Sequence, residues 1–421
     1  MTKIALAYGH ETVEFTFDPD RYEVFQPPVR NEKPLSDAEI GQALDSPIDS
    51  HRLEDLLVPG ESVLIVVSDA TRATASAQIV NLLVRRIIQN GIALADIAII
   101  FATGIHRAVT PSEKQELLTP FIVQRIKTLD HDPSDEARLV RLGETDRGTT
   151  VEVNRALRDF SRVILTGGIG FHYFAGFTGG RKSVCPGLAS VNTIEATHML
   201  ALDLEKGGRR AGVGTGLLQG NAVHEECERV AELINPAFGI NAVVDERGRA
   251  VRVYAGHWRE AHCVGCDDYL TDHSAAISAR RDVVVVSCGG SPNDINLIQA
   301  HKSLDMAARA CNEGGTIILL AECPDGFGRA DFLKWFDEED SSALESRLQQ
   351  SYEVNGQTAW SLLTKAERYQ VVLVSQLADD DVRLMRMEPA GSLSEALDKV
   401  NSDARGYILP RGAAVLPLPA D

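Results

Sequence analysis

The apolar residues of the chain form two sets of short continuous runs, separated by stretches of helical periodicity. The first set lies at residues 63–67, 97–101 and 163–166, and these unbroken runs are typical of strands buried on both faces. Between the first two, residues 76–90 place apolar side chains on one helical face, and Gly91 ends the helix. Strands that alternate with helices predict a parallel α/β sheet.

A second set of apolar runs, at residues 283–287, 316–320 and 371–375, repeats this pattern. The predicted fold class is therefore α/β, with two α/β domains and mainly parallel sheets. Apolar periodicity lapses at 272–281, which predicts an N-terminal domain at 1–272 and a C-terminal domain at 273–404.

The remaining segments are expected to pack around these domains. Alternating apolar residues predict two short strands before residue 18, and residues 26–60 predict a covering arm with one short helix. The tail, residues 405–421, is expected to form a final strand pair that returns to the first domain.

The chain is acidic, and this narrows the classes of partner. Its 421 residues include 42 Lys and Arg against 60 Asp and Glu, a net charge of −18. Such a surface repels phosphate backbones and anionic lipid, which argues against nucleic-acid and membrane partners. No apolar run is long enough for a membrane span, and the N-terminus lacks the apolar core of a signal peptide. We expect a cytoplasmic enzyme of small molecules.

The seven cysteines fit a reducing compartment because they are odd in number and scattered. Cys263 and Cys266 form a C-x-x-C motif, but no second pair completes a zinc site. We interpret both as residues packed in a helix.

Polar residues follow three of the predicted strands directly. Asp69, Thr71 and Arg72 follow the first strand, His106 follows the second and His172 follows the third. Ligands of open parallel sheets bind at the carboxyl ends of strands, so the fold is expected to bring these residues together. Neutral imidazole titrates near pH 7, which suits the two histidines to acid/base work; the alternative is packed, hydrogen-bonded side chains. Other histidines, such as His131, are expected at the surface.

A glycine-rich loop at residues 176–183 carries two cations. It resembles a P-loop but has Arg181 where a glycine should precede Lys182, and no glycine motif nearby completes a dinucleotide fingerprint. The loop could cradle an anion through its backbone N–H groups, or it could be a tight turn with a solvated lysine.

Two further positions are candidate ligands. His198 lies on a predicted helix without a second histidine four residues away, so it could be a single imidazole ligand to a metal held mostly by something else. Gln299 and Lys302 share a helical face and would suit a carboxylate and a hydroxyl group, or form a solvated face.

Taken together, these motifs resemble the nickel-dependent lactate racemase family. The resemblance runs in order over roughly residues 60–375, through the segments 68–72, 102–107, 172–183, 186–187, His198 and 299–302. It implies two α/β domains with a cofactor in the cleft between them.

The resemblance implies a nickel pincer nucleotide, a pyridinium-3,5-bisthiocarboxylic acid mononucleotide that holds nickel and is supplied by separate biosynthetic enzymes. Lys182 would hold it covalently through a thioamide, and His198 would complete the nickel coordination. Asp69, Thr71, Arg72 and the loop around Gly176 would contact the cofactor or orient its neighbours.

The implied reaction is racemisation of a 2-hydroxy acid by hydride transfer through a 2-keto acid. His106 and His172 would exchange the hydroxyl proton, and Arg72, Gln299 and Lys302 would contact the substrate. Five cations fall within the motifs, so the site is expected to be basic on an acidic body: Arg72, Arg107, Arg181, Lys182 and Lys302.

The substrate pocket departs from the family pattern. Ile298 stands where lactate racemases have an aromatic residue, and Gln357 falls where a tryptophan is expected, with Trp360 three positions on. The apolar Ile298 favours lactate or 2-hydroxybutyrate. Malate, gluconate or aryl-lactate remain alternatives with the same cofactor. Other classes are an NAD-dependent 2-hydroxy acid dehydrogenase, a non-catalytic cofactor-binding protein and a pyridoxal phosphate enzyme that uses Lys182.

Overall fold

The computed structural model describes residues 1–26 and 32–419, and its strands and helices alternate over most of this length. The strands are β1 (Thr2–Tyr8), β2 (Glu11–Phe17), β3 (Tyr22–Val24), β4 (Val63–Ser68), β5 (Ile97–Ala102), β6 (Lys127–Asp130), β7 (Leu139–Glu144), β8 (Thr150–Asn154), β9 (Arg162–Gly168), β10 (Phe171–His172), β11 (Gly176–Phe177), β12 (Phe238–Val244), β13 (Ala250–Gly256), β14 (Ser274–Ile277), β15 (Arg281–Ser287), β16 (Cys311–Leu320), β17 (Gln370–Val374), β18 (Glu388–Ala390), β19 (Gly406–Leu409) and β20 (Leu416–Pro419).

The helices of the described residues are α1 (Asp37–Asp45), α2 (Leu53–Leu56), α3 (Ser76–Gln89), α4 (Pro111–Leu117), α5 (Pro120–Arg125), α6 (Ala156–Asp159), α7 (Val191–Met199), α8 (Ala222–Ile234), α9 (Glu260–His273), α10 (Leu297–Ala310), α11 (Ser341–Gln350), α12 (Val354–Arg368), α13 (Asp379–Leu384) and α14 (Leu393–Asp398). None of them is long and apolar enough to cross a membrane.

Internal contacts divide the chain into two compact units. Unit 1 comprises Met1–Arg30, Leu202–Arg209 and Leu270–Asp421, and unit 2 comprises Asn31–Ala201 and Arg210–Tyr269, each in its described residues. Each unit is built on a six-stranded sheet with helices, and the predicted α/β class with mainly parallel sheets is confirmed.

The sheet of unit 2 has the order β13-β12-β9-β4-β5-β6, and all its neighbours are parallel except β12 and β13. Its centre is apolar because residues 63–67 of β4 are fully buried, and helix α3 packs Ile79, Leu83 and Ile87 into the same core. Strands β9, β4 and β5 are adjacent, so their carboxyl ends meet at one edge of the sheet. This edge receives the polar segments that follow each strand.

The sheet of unit 1 has the order β18-β17-β16-β15-β19-β3, with parallel neighbours throughout. The tail therefore supplies β19 to the C-terminal sheet, where its buried side chains pair with β15, and β20 pairs with β14. This differs from the expectation that 405–421 returns to the first domain.

The N-terminal segment also belongs to unit 1 and not to a domain at 1–272. Strands β1 and β2 form an antiparallel pair, and Leu6, Phe15 and Phe17 pack in the core of the unit 1 sheet. The physical reason is the apolar alternation of this hairpin, which needs a sheet face to cover it. Of the arm expected at 26–60, residues 27–31 lie outside the described residues, and the rest contains two short helices, α1 and α2, instead of the one expected.

The structure also tests the expectations for the cysteines and for His131. The seven cysteines are free thiols, and Cys263 and Cys266 lie in α9 as predicted. His131 was expected at the surface but is buried, because its Nε2 bonds the carbonyl oxygen of Ala189 at 3.0 Å and its Nδ1 bonds Asn154.

Candidate active site

Asp69 and His106 form a hydrogen-bonded pair at the carboxyl edge of the unit 2 sheet. Asp69 follows β4 and is buried, and its Oδ2 lies 2.7 Å from Nδ1 of His106. Its Oδ1 accepts the hydroxyl of Thr71 at 2.6 Å and the backbone N–H of Thr71 at 3.0 Å. An ionised carboxylate only accepts hydrogen bonds, so Nδ1 of His106 is the donor and Nε2 carries the lone pair.

The negative charge on Asp69 maintains the hydrogen bond from Nδ1 of His106. Burial raises the pKa of Asp69, but the hydrogen bond and charge of His106, the Thr71 hydroxyl and the charge of Arg72 outweigh it and lower the pKa below its ordinary value. Asp69 is therefore ionised at neutral pH. The His106 side chain is 45% exposed, so its Nε2 can meet a ligand.

The loop that carries His106 is tied to the loop that carries Lys182. Gly104 adopts φ +54°, and its N–H donates to the carbonyl oxygen of Gly187 at 2.9 Å. A Cβ at Gly104 would lie 3.3 Å from the carbonyl oxygen of Pro186, so a side chain there would crowd this junction. The close approach holds the segments after β5 and β11 in fixed register.

His172 lies in the short hairpin of β10 and β11, which follows β9. Its Nδ1 accepts the backbone N–H of Ala175 at 3.2 Å. A neutral imidazole has one N–H, so Nε2 of His172 carries the proton. His106 and His172 are thus held in opposite tautomers: Nε2 is an acceptor in the first and a donor in the second.

Gly176 closes the same hairpin. It adopts φ +78°, and a Cβ there would lie 2.1 Å from the carbonyl oxygen of Leu217. Only glycine fits this turn. Its expected contact with a cofactor stays a prediction.

Lys182 lies in a 3₁₀ turn, Gly180–Ser183, with Nζ 5.6 Å from the centre of the Phe174 ring. The pKa of Lys182 is lowered to about 7, chiefly by burial; the charges of Arg181 and Arg72 act in the same direction, and nearby Cys227 and Cys185 oppose them. A large fraction of this amine is neutral at pH 7, and a neutral amine is a nucleophile. The Lys182 side chain is half-buried, which argues against a fully solvated lysine on a turn.

His198 is buried on α7, close to the same ring. Its Nδ1 lies 2.7 Å from the carbonyl oxygen of Ile194, so Nδ1 donates and Nε2 carries the lone pair. Burial, followed by the charge of Lys182, lowers the pKa of His198 to about 3. A neutral imidazole with one nitrogen fixed by a carbonyl is the form that binds a metal.

Phe174 joins three of the predicted residues. Its ring centre lies 4.5 Å from that of His172 and 5.0 Å from that of His198, and Nζ of Lys182 lies over it. Among the residues that the structure describes, no three His, Cys, Asp or Glu side chains are arranged to hold a metal ion. A metal at His198 would need its other donors from a bound group.

Asn241, which the sequence did not single out, and Arg181, whose burial it did not predict, hold the Lys182 turn. Asn241 of β12 is buried and accepts the N–H of Gly180 at 2.8 Å. Arg181 is 1% exposed, donates to the carbonyl oxygen of Ala175 at 2.8 Å and lies 3.1 Å from Nε2 of His262. A polar Asn inside an apolar strand was the available signal for the first; the burial of Arg181 had none.

The predicted basic site loses one of its five cations. Arg107 is exposed and makes two hydrogen bonds to Glu113, at 2.8 and 2.5 Å, so its charge is paired at the surface. Arg72 remains, since its charge acts on both Asp69 and Lys182.

The predicted substrate residues Ile298, Gln299 and Lys302 lie on α10 of unit 1. Nζ of Lys302 donates to Oε1 of Gln299 at 2.5 Å, so the two share a helical face as predicted. Gln357 is buried on α12 and accepts the hydroxyl of Tyr352, and Trp360 is buried on the same helix. Their contacts with a substrate stay predictions.

Comparison with known proteins gives consistent results over the whole chain. The family models described as lactate racemase N-terminal domain and lactate racemase C-terminal domain match residues 8–208 and 276–416. The lactate racemase of Thermoanaerobacterium thermosaccharolyticum is 30% identical, with 99% of each chain covered. That of Lactiplantibacillus plantarum is 32% identical, with 99% of this chain and 100% of the relative covered.

Solved structures agree. The structure of the lactate racemase apoprotein from Thermoanaerobacterium thermosaccharolyticum matches with a TM-score of 0.91 at 29% identity, covering 99% of this chain and 100% of that one. A Thermotoga maritima protein matches with a TM-score of 0.68 at 20% identity over 93% of this chain and 100% of that one, which concerns the fold alone.

Proposed function

Because the chain belongs to the lactate racemase family, a family of isomerases, we propose that it interconverts the D and L enantiomers of a short-chain aliphatic 2-hydroxy acid. Lactate and 2-hydroxybutyrate are the proposed substrates. The observation that carries the proposal is the pair of histidines in opposite tautomers, which presents an acceptor and a donor.

Inversion at C2 requires a hydroxyl proton to be removed and later returned. Nε2 of His106 accepts this proton, and the ionised Asp69 stabilises the imidazolium that results. Nε2–H of His172 donates a hydrogen bond to the substrate in the described state. For His172 to accept a proton in turn, its Nδ1 must be protonated, and its bond from Ala175 must break.

The residues present fit a nickel pincer nucleotide. Lys182 offers a partly neutral amine for a thioamide bond, and His198 offers a lone pair on Nε2 for nickel. Sulfur donors with one imidazole suit nickel. When bound, the cofactor supplies an electron-poor pyridinium that accepts and returns a hydride at C2 of the substrate. The proposal includes separate enzymes that make the cofactor.

The proposed substrate contacts divide between charge and shape. The guanidinium of Arg72 would bind the carboxylate, and Gln299 and Lys302 would bind the carboxylate and hydroxyl oxygens. Ile298 would contact the aliphatic side chain without a cation for a second carboxylate, which argues against malate. An additional methylene changes binding by only about 1–3 kcal/mol in such a pocket, so both short acids should react.

The decisive experiment is intact mass and nickel content of protein purified from cells that make the cofactor, beside a Lys182→Ala variant. We expect a mass increase that the variant lacks, and about one nickel per chain. Both enantiomers of lactate, 2-hydroxybutyrate, malate and gluconate are then assayed. Activity with unmodified Lys182 contradicts the cofactor proposal, and turnover of malate or gluconate alone contradicts the substrate proposal.

A further inference from the structure

Unit 1 contains a cavity of about 400 Å³ between α10, α12, residues 208–209 and the segment that precedes β15. Five cations and one carboxylate line it: Arg209, Arg280, Arg309, Lys365, Arg368 and Asp305. This excess of positive charge is notable in a chain whose net charge is −18. We call this space the arginine cavity.

Only part of this positive charge is paired. Asp305 is buried and lies 3.0 Å from Nζ of Lys365 and 3.4 Å from the guanidinium of Arg209. Arg368 pairs with Glu313, whose side chain is 70% exposed, at 3.0 Å. Asp305 is thus the one carboxylate among the residues that line the cavity, against five cations.

Arg280 and Arg309 have no hydrogen bond or ion pair with any residue that the structure describes. Burial lowers the pKa of Arg309, and the charges of Arg209 and Arg280 lower it further, whereas Asp305 raises it. Arg280 is exposed and Arg309 is half-buried, so water solvates part of this charge, and an anion that contacts both guanidinium groups would offset their mutual repulsion.

The arginine cavity lies away from the predicted substrate residues of the same unit. Arg280 immediately precedes β15, Arg309 lies in the last turn of α10 before β16, and Arg368 ends α12 before β17. These are the amino ends of the strands. Gln299 lies in the first turn of α10, about 15 Å from Arg309 along the helix axis.

We infer that the arginine cavity is a binding site for a small phosphorylated metabolite, held through its phosphate group by Arg280, Arg309 and Arg368. Guanidinium groups match phosphate oxygens in a bidentate geometry. The volume is in the range of small-molecule sites and larger than a phosphate ion needs, so an organic part can enter beside Trp360 and Tyr369. The inference goes beyond the proposed racemase activity and does not depend on it.

The test is calorimetric titration of the full chain with pyrophosphate at low ionic strength, with citrate as a polycarboxylate of similar charge. We expect Arg280→Gln and Arg309→Gln each to weaken pyrophosphate binding by about tenfold. Arg383→Gln is the matched control, because Arg383 is an exposed arginine of the same unit that pairs with Asp379 and Asp380. Binding unchanged in Arg280→Gln, or no binding to the wild-type chain, overturns the inference, as does citrate binding more tightly than pyrophosphate.

Thermal unfolding separates ligand binding from a structural role. Pyrophosphate should raise the Tm of the wild-type chain and not that of Arg309→Gln. Without ligand, Arg309→Gln should unfold at the same or a higher Tm, because it removes like-charge repulsion. A lower Tm without ligand, together with an unchanged pyrophosphate shift, would assign Arg309 a structural role. Neither measurement requires Lys182 or a cofactor, so failure of the racemase proposal leaves this test intact.

Discussion

The candidate site has two sides, one that stabilises a charged side chain and one that favours neutral side chains. On the carboxylate side, His106 is half-exposed and is backed by an ionised Asp69. On the Phe174 side, His172, Lys182 and His198 surround an aromatic ring, and burial suppresses the charge of the last two. The difference shows that equal residue types at equivalent strand ends are given different tasks by their hydrogen-bond partners.

The consequence is that the two histidines are not interchangeable in the described state. A carboxylate behind Nδ1 stabilises the imidazolium of His106, whereas the N–H of Ala175 behind Nδ1 opposes an imidazolium at His172. Proton transfer is favoured on the carboxylate side, and neutral amine and imidazole are favoured on the Phe174 side.

The largest expected effect comes from His106→Asn, which keeps a donor to Asp69 but removes the proton acceptor. Racemisation should fall by about 10²–10⁴-fold, measured by polarimetry in cofactor-loaded protein. In acid-quenched single turnovers, the 2-keto acid should still form from one enantiomer and not from the other. His172→Asn should show the opposite enantiomer preference. Loss of the same enantiomer in both variants would show that the two sides do not act as separate acid/base groups.

Asp69→Asn tests the carboxylate side without touching the imidazole. The amide cannot stabilise an imidazolium, so kcat should fall by about 10–100-fold. The control is Thr71→Val, which removes a single hydrogen bond to Asp69 and should have a much smaller effect. Equal losses in both variants would contradict the role given to Asp69.

The sequence was sufficient to predict where these residues lie, but not how they are paired. Continuous apolar runs determined strands β4, β5 and β9, and parallel strands share a carboxyl edge, so Asp69, His106 and His172 were predictable. The tautomers were not, since one depends on the turn that directs the N–H of Ala175.

Two further features could not be predicted from local sequence: the environments of Arg107 and Arg181, and the sheet that the C-terminal tail joins. Arg107 and Arg181 look equivalent in the sequence, yet one pairs with Glu113 at the surface and the other is buried against His262. The apolar strand β19 could have completed either sheet. Its pairing with β15 depends on tertiary packing, which the local sequence pattern does not determine.

Arg72 links the two sides, because its charge lowers the pKa of both Asp69 and Lys182. Arg72→Gln removes a repulsion on the Lys182 ammonium, so the pKa of Lys182 should rise. The pH profile of Lys182 acylation, followed by peptide mass spectrometry on protein without cofactor, should move to higher pH by up to about one unit. Arg107→Gln is the control and should leave the profile in place. A profile unchanged by Arg72→Gln would separate the two sides electrostatically.

The smallest effect concerns stability on the Phe174 side. Burial lowers the pKa of Lys182 from 10.5 to about 7, so between these pH values the unfolded chain binds the proton that the folded chain has released. Stability of the wild-type chain should therefore rise with pH across this window, and the cost of burying the ammonium is fully present below pH 7. Without cofactor, Lys182→Met should have a Tm a few degrees above the wild type at pH 6, and the gap should narrow by pH 9. Exposed Lys206→Met is the matched control and should show no such narrowing. A constant gap for Lys182→Met would mean that this lysine stays charged, and the Phe174 side would then not differ from the carboxylate side in the way described.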